Sequence, residues 1–93
     1  MQIKHIPGTN YGKVILYTLS TCPWCKKTKQ FLIDKGVEYD YIDVDLLIGQ
    51  EKENTIKMIE KWNPNCSFPT IVVNENEYIV GYDEDEISRV LKL

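Results

Sequence analysis

The chain has 93 residues, 43% of them hydrophobic and 27% charged, with 11 Lys and Arg against 14 Asp and Glu and a formal net charge of −3. That is enough for one domain with a modest core and too little for two. The acidic balance argues against general nucleic-acid affinity, and no apolar run is long enough to span a bilayer, so neither a nucleic acid nor a membrane is expected as a partner. The three cysteines are an odd number and no signal peptide is visible, which argues for a reducing, cytoplasmic location.

In chain order, Met1–Gly12 holds the turn formers Pro7-Gly8-Thr9-Asn10 and Tyr11-Gly12 without a hydrophobic period, and reads as a poorly ordered arm over residues 1–12. A single domain is expected over residues 13–93. His5, the sole histidine, reads as a surface residue and not a ligand or base. Lys13–Thr18 is apolar at nearly every position, as a central strand covered on both faces should be. From Pro23 to about Lys35 the pattern is helical: Cys25, Thr28 and Leu32 share one face, Trp24 and Phe31 lie alongside, and Lys26, Lys27, Gln30 and Asp34 point outward. Gly36 ends this helix. Glu38–Val44 alternates as a second strand, and its return after a crossover helix makes a right-handed βαβ unit. A loop over Asp45–Gln50 leads to a helix over Glu51–Trp62, closed by Asn63-Pro64-Asn65. Ile71-Val72-Val73 and Tyr78-Ile79-Val80, separated by a polar turn, form an antiparallel hairpin. Gly81 breaks the strand, and a last helix opens at Tyr82-Asp83 with Ile87, Val90 and Leu91 as its buried stripe. The predicted fold is α/β, a four-stranded mixed sheet in the order βαβα, β-hairpin, α, with helices on both faces.

Cys22-Pro23-Trp24-Cys25 sits where the first strand gives way to the first helix. Cys22 falls at the N-cap and Pro23 at the first helical position, where a missing N–H costs nothing. The unpaired N–H groups of the first turn and the helix dipole favour a thiolate there. A sulfur favoured as a thiolate gains chiefly as a leaving group, since lower basicity also lowers nucleophilicity. Cys25, one turn further in, faces the core and is the natural resolving thiol. A structural zinc site needs four ligands, and only Cys66 and His5 could join the pair. A redox dithiol is the expected reading of C-x-x-C beside a βαβ pattern.

Four motifs in order carry a resemblance: Thr21-Cys22-Pro23-Trp24-Cys25 with Lys26, Thr28-Lys29 and Phe31-Leu32; Tyr41-Ile42-Asp43-Val44-Asp45; Ser67-Phe68-Pro69-Thr70; and Gly81-Tyr82-Asp83. Over about Lys13–Leu93 the chain resembles a glutaredoxin or glutaredoxin-like member of the thioredoxin fold. The resemblance implies that Cys22 is the attacking, glutathionylated thiol and Cys25 the resolving one. It makes Pro69 the cis-proline facing the thiols, with the Phe68 backbone pairing an extended cysteinyl peptide. It makes Trp24 an apolar wall of the substrate groove, and the N–H groups around Tyr82 and Asp83 a carboxylate site. It implies no tightly bound cofactor, a monomer, disulfide-containing protein substrates, and glutathione or another thiol as reductant. Leu19 stands where many glutathione-using members carry lysine, and Val80 precedes a single Gly81 where they tend to have Gly-Gly. Both deviations occur in glutaredoxin-like electron donors that are reduced by thioredoxin reductase and serve ribonucleotide reductase, so that route is the alternative, ahead of an iron–sulfur or other metal-binding redox role. Cys66 reads as a small, partly buried side chain, with a regulatory disulfide as its alternative. Lys26, Lys27 and Lys29 read as a solvated helix face, with steering of anionic partners as the alternative.

Overall fold

The computed structural model describes residues 3–93, so residues 1 and 2 of the expected arm lie outside the described residues. Its organising strand is β2, Val14–Thr18, a β-branched and aromatic run buried at Val14, Leu16, Tyr17 and Thr18. The sheet is completed by β1 (Lys4–Ile6), β3 (Tyr39–Asp43), β4 (Thr70–Val73) and β5 (Glu77–Val80), in the spatial order β1-β3-β2-β4-β5. Strand β3 runs parallel to β2, as the crossover predicts, and β4 runs antiparallel on its other side, with Leu16 opposite both Tyr41 and Ile71. The hairpin β4–β5 pairs Ile71 with Ile79.

Side chains alternate across this sheet, and each face has its own cover. Val14, Leu16, Ile71, Val73 and Ile79 join Leu32 of α1 (Pro23–Asp34) and Ile87 and Leu91 of α3 (Glu84–Leu91). On the other face Tyr17, Ile42 and Val72 meet Ile59 of α2 (Gly49–Trp62). Leu32, Ile59 and Ile87 are fully buried, and each such side chain contributes roughly 1.5–3 kcal/mol of transfer free energy. Helix α1 buries Cys25, Thr28 and Leu32 as its periodicity requires, and stops at Gly36, whose φ of +69° suits glycine. Helix α2 begins earlier than expected, at Gly49, after a 3₁₀ turn over Val44–Leu46. Helix α3 begins at Glu84, with Asp83 as its N-cap. Among the described residues, no helix is long and apolar enough to cross a membrane.

The strand count is a correction: among the described residues the sheet has five strands, because Lys4–Ile6 of the expected arm pairs antiparallel with β3. Its register sets His5 opposite Asp40, and His5 Nδ1 lies 2.7 Å from Asp40 Oδ1. The next residues continue the attachment, since the Thr9 N–H donates to the Gly36 carbonyl at 2.7 Å and the Glu38 N–H to the Thr9 carbonyl at 2.9 Å. Three strand residues that are mostly exposed and lack an apolar period give pattern reading nothing to find; cross-strand polar pairs and backbone bonds hold this strand.

Candidate active site

Cys22 is the N-cap of α1, with φ −82° and ψ 116°, and Pro23 follows at the first helical position. The Cys25 N–H donates to Cys22 Sγ at 3.2 Å, and the Lys26 N–H to the Cys22 carbonyl at 3.1 Å. The sulfur thus takes the place that a Ser or Asp oxygen holds in an ordinary N-cap. Both thiols are free, but their surroundings differ: Cys22 is partly exposed, whereas Cys25 is 0% exposed. Burial pushes the Cys25 thiol up to about 12, helped by its hydrogen bond with Cys22 and opposed by the Leu19 backbone and the charge of Lys29. An exposed sulfur at a helix terminus and a protonated sulfur beneath it is an arrangement suited to sequential thiol chemistry.

Two polar clips fix this corner, one from the last residue of β3 and one from the 3₁₀ turn that follows it. Asp45 accepts the Ser20 N–H at 2.8 Å and the Ser20 hydroxyl at 2.5 Å, tying down the loop before Cys22. Those two bonds, hydroxyl first, hold the Asp45 carboxyl below its ordinary value. Asp43 accepts the hydroxyl of fully buried Thr18 at 2.5 Å and the Lys29 ammonium at 3.2 Å. Lys29 therefore differs from Lys26 and Lys27: those two are exposed, while its side chain is only 20% exposed. Asp43 and Asp45 stood in one of the motifs of the resemblance, but the clip roles of these residues escaped the sequence reading because a Thr, a Ser and two Asp near strand ends look like ordinary strand boundaries. The available signal was their position at the C-terminal ends of two parallel strands, where open α/β sheets place their sites.

A groove of about 270 Å³ lies beside the start of α1, lined by Trp24, Phe68, Pro69, Gly81 and Tyr82. The Phe68–Pro69 peptide bond is cis, and the Gly81 N–H donates to the Pro69 carbonyl at 2.8 Å. Trp24 is 55% exposed, stacks on Tyr82 at 5.9 Å between ring centroids, and carries Lys27 Nζ 4.8 Å from its ring. Tyr82 also meets Phe31 edge-on at 6.3 Å, and its hydroxyl bonds Glu84. Four of the expected groove residues thus come together. Asp83 sits apart from the lining: its carboxylate caps α3 by accepting the Glu86 N–H at 3.0 Å. Glu84, Asp85 and Glu86 fill the first turn of that helix. Cys66, with φ +49°, packs against the α2-side core, as Trp62 and Phe68 also do, and burial, then the charge of Glu60, push its thiol up. His5 is exposed and pairs with Asp40 at the sheet edge.

The protein-family model for glutaredoxin matches residues 14–79. The crystal structure of the glutaredoxin from Methanosarcina mazei Go1 is 46% identical with a TM-score of 0.93, covering 100% of this chain and 90% of that one. The methanoredoxin of Methanosarcina acetivorans is 48% identical with a TM-score of 0.89, covering 92% of this chain and 90% of that one. Glutaredoxin 1 of Rickettsia prowazekii (strain Madrid E) is 38% identical over 71 residues, which are 76% of this chain and 70% of that relative. The matched span runs from the first residue of β2 into β5 and encloses both site cysteines and the cis-proline. On fold, site and sequence together, this chain belongs to the glutaredoxin family, with the family's thioredoxin fold.

Proposed function

We propose that the protein is a dithiol–disulfide oxidoreductase that reduces protein disulfides or glutathione mixed disulfides. The Cys22 thiolate attacks one sulfur of a substrate disulfide, forming a Cys22–substrate disulfide and expelling the other sulfur as a thiolate. Cys25 then attacks the Cys22 sulfur, its proton passing to the departing substrate thiolate. The substrate gains two electrons, one of its sulfurs taking the Cys25 proton and the thiolate expelled first taking its proton from solvent, and the enzyme keeps a Cys22–Cys25 disulfide for an external thiol to reduce. The observation that carries this reading is the pairing of a partly exposed N-cap sulfur, hydrogen-bonded by the Cys25 N–H, with a wholly buried second thiol one turn below it. Trp24, Phe68, Pro69 and Tyr82 form the substrate groove in this reading, where the Phe68 backbone pairs an extended cysteinyl segment in strand-like fashion.

Glutathione, or another small thiol, is the proposed reductant. Reduction by thioredoxin reductase is the second reading, favoured by the acidic opening of α3: the carboxylates of Asp83, Glu84, Asp85 and Glu86 oppose an incoming carboxylate at a helix terminus that would otherwise attract one. The test supplies fully reduced protein with a glutathione mixed disulfide and with insulin, using glutathione with its reductase in one cuvette and thioredoxin reductase with NADPH in the other. Turnover only with glutathione supports the first reading. Turnover only with thioredoxin reductase supports the second, and silence in both overturns the oxidoreductase reading.

A further inference from the structure

Lys29 lies four residues after Cys25 on α1, hence on the same helix face one turn further along. Its ammonium stands 3.2 Å from Asp43 Oδ1 and 4.0 Å from the centre of the Tyr41 ring. Asp43 is itself only 18% exposed, and it is held by the hydroxyl of Thr18, which also lies 3.1 Å from the Ile42 carbonyl. The attraction in such a half-buried pair is largely offset by desolvation, and apolar residues of the same size would stabilise the fold about as well. Its placement therefore calls for a reason other than stability. The resolving thiol one turn back on the same helix face supplies one, because a fixed positive charge nearby lessens the cost of losing a proton from a sulfur removed from water.

We infer that Lys29 is a positioning residue for the resolving step: its ammonium, fixed by Asp43 and Thr18, stabilises the negative charge that develops on the Cys25 sulfur as the proton leaves. The inference rests on the proposed assignment of Cys25 as the resolving thiol. In that step the Cys25–Cys22 bond forms, the Cys22–substrate bond breaks, and the substrate sulfur leaves with the electron pair and takes the proton. Burial first and then Cys22 at the N-cap raise the Cys25 pKa, while the Leu19 backbone and, to a lesser extent, Lys29 on α1 lower it. Asp43 and Tyr41 on β3 face Lys29, and the Tyr39 hydroxyl lies 3.5 Å from the Lys29 carbonyl.

The test uses the full chain carrying Cys66→Ser, so that only the two site thiols react. Reduced protein is mixed in stopped flow with one equivalent of dithiobis(nitrobenzoate), which releases a coloured thiolate twice. The first release reports attack by Cys22 and the second reports displacement by Cys25. Lys29→Met should leave the first phase unchanged and slow the second about three- to tenfold at neutral pH. The effect is modest because the thiolate lost with the ammonium is partly offset by the higher nucleophilicity of a more basic sulfur. Lys29→Arg should restore most of the rate, and Lys29→Gln should slow the same phase. A second phase within about twofold of the parent in both Lys29→Met and Lys29→Gln overturns the inference, as does equal slowing of both phases or a failure of arginine to rescue. If Lys29→Met does not fold, Lys29→Gln with the arginine variant decides alone. Absence of a first phase in the parent overturns the oxidoreductase reading itself, which is a different failure from the loss of a Lys29 effect.

Discussion

Gly8→Ala gives the sharpest test of the added strand. A Cβ on Gly8 would lie 2.7 Å from the Gly36 carbonyl oxygen and 2.8 Å from both the Glu38 nitrogen and the Val37 carbonyl carbon. All three are backbone atoms, so no flexible side chain can move aside. The contact falls about 0.7 Å short of the 3.4 Å at which ordinary contact begins, and the segment after β1 must lift by a comparable amount. That displacement acts on the bonds joining Thr9 to Gly36 and Glu38, which are 2.7 and 2.9 Å long. Overpacking costs about 1–3 kcal/mol and the two backbone bonds, weakened but not lost, about 1 kcal/mol between them, so a loss of roughly 2–4 kcal/mol is expected. Against a total stability of about 5–15 kcal/mol this is a large fraction. With a urea m-value of about 1–3 kcal/mol/M, the midpoint of unfolding should fall by roughly 1–2 M. Tryptophan fluorescence reads the transition, and Trp24 and Trp62 both lie far from residue 8 in sequence. A midpoint within about 0.3 M of the parent would refute the close approach and, with it, the attachment of the N-terminal strand. Activity per folded molecule should not change, because the thiols lie beyond the opposite end of β2.

Cys25→Ser should abolish reduction of insulin while Cys22 remains reactive to iodoacetamide, and Cys22→Ser should abolish both; continued insulin turnover by Cys25→Ser would contradict the two-thiol mechanism. Stability should fall in alkali. Between about pH 9 and pH 12 the unfolded chain loses the Cys25 proton that the folded chain keeps, and between about 10 and 12 the same holds for the buried hydroxyl of Tyr39, raised by desolvation and then by Tyr41. The unfolded state then binds fewer protons, so stability declines with rising pH by about 1.4 kcal/mol per unit for each group. Urea titrations at several alkaline pH values should show a flatter decline in Cys25→Ser and Tyr39→Phe, and curves parallel to the parent would contradict the assignment. Asp45 behaves in the opposite sense: its carboxyl is held below the ordinary 3.8, so its contribution is present above that pH and is lost as pH falls below it. Asp45→Asn should loosen the Ser20 loop, seen as faster amide exchange at Ser20, and unchanged exchange would show that the clip does not hold the loop.

What the sequence made legible was whatever repeats or is punctuated. The face of α1 formed by Cys25, Thr28 and Leu32, the β4–β5 hairpin and the Gly36 stop follow from period and turn chemistry, and the structure has each of them. Strand β1 was missed because its hold on the sheet lies in backbone bonds and one His–Asp pair, which leave no pattern. Lys29 was placed on a solvated face because a lysine run reads alike whether or not an acid waits opposite it. That acid, Asp43, stands 14 residues away on another element. The expectation at Asp83 concerned its backbone N–H; that its carboxylate caps the first turn of α3 is a local role the resemblance did not bring out.

The same reasoning explains why the site is carried by residues that take no part in its chemistry. A C-x-x-C at a helix start requires the preceding loop to be held, since the cap geometry at Cys22 depends on where Leu19 and Ser20 lie; the Cys22 N–H donates to the Leu19 carbonyl at 3.2 Å. A proline in Leu19–Thr21 could have stiffened that loop, but the sequence has none there. The restraint comes from β3, which is parallel to β2 and so ends on the same edge of the sheet. Asp45 takes the loop before the first cysteine, and Asp43 takes the helix just after the second. The two carboxylates are two residues apart in the chain, as a strand end and the turn after it allow. Changing the length of β3 by one residue would exchange inward and outward side chains at its end and release both clips together. The position of the thiols is therefore set less by the redox motif than by the register of the neighbouring parallel strand.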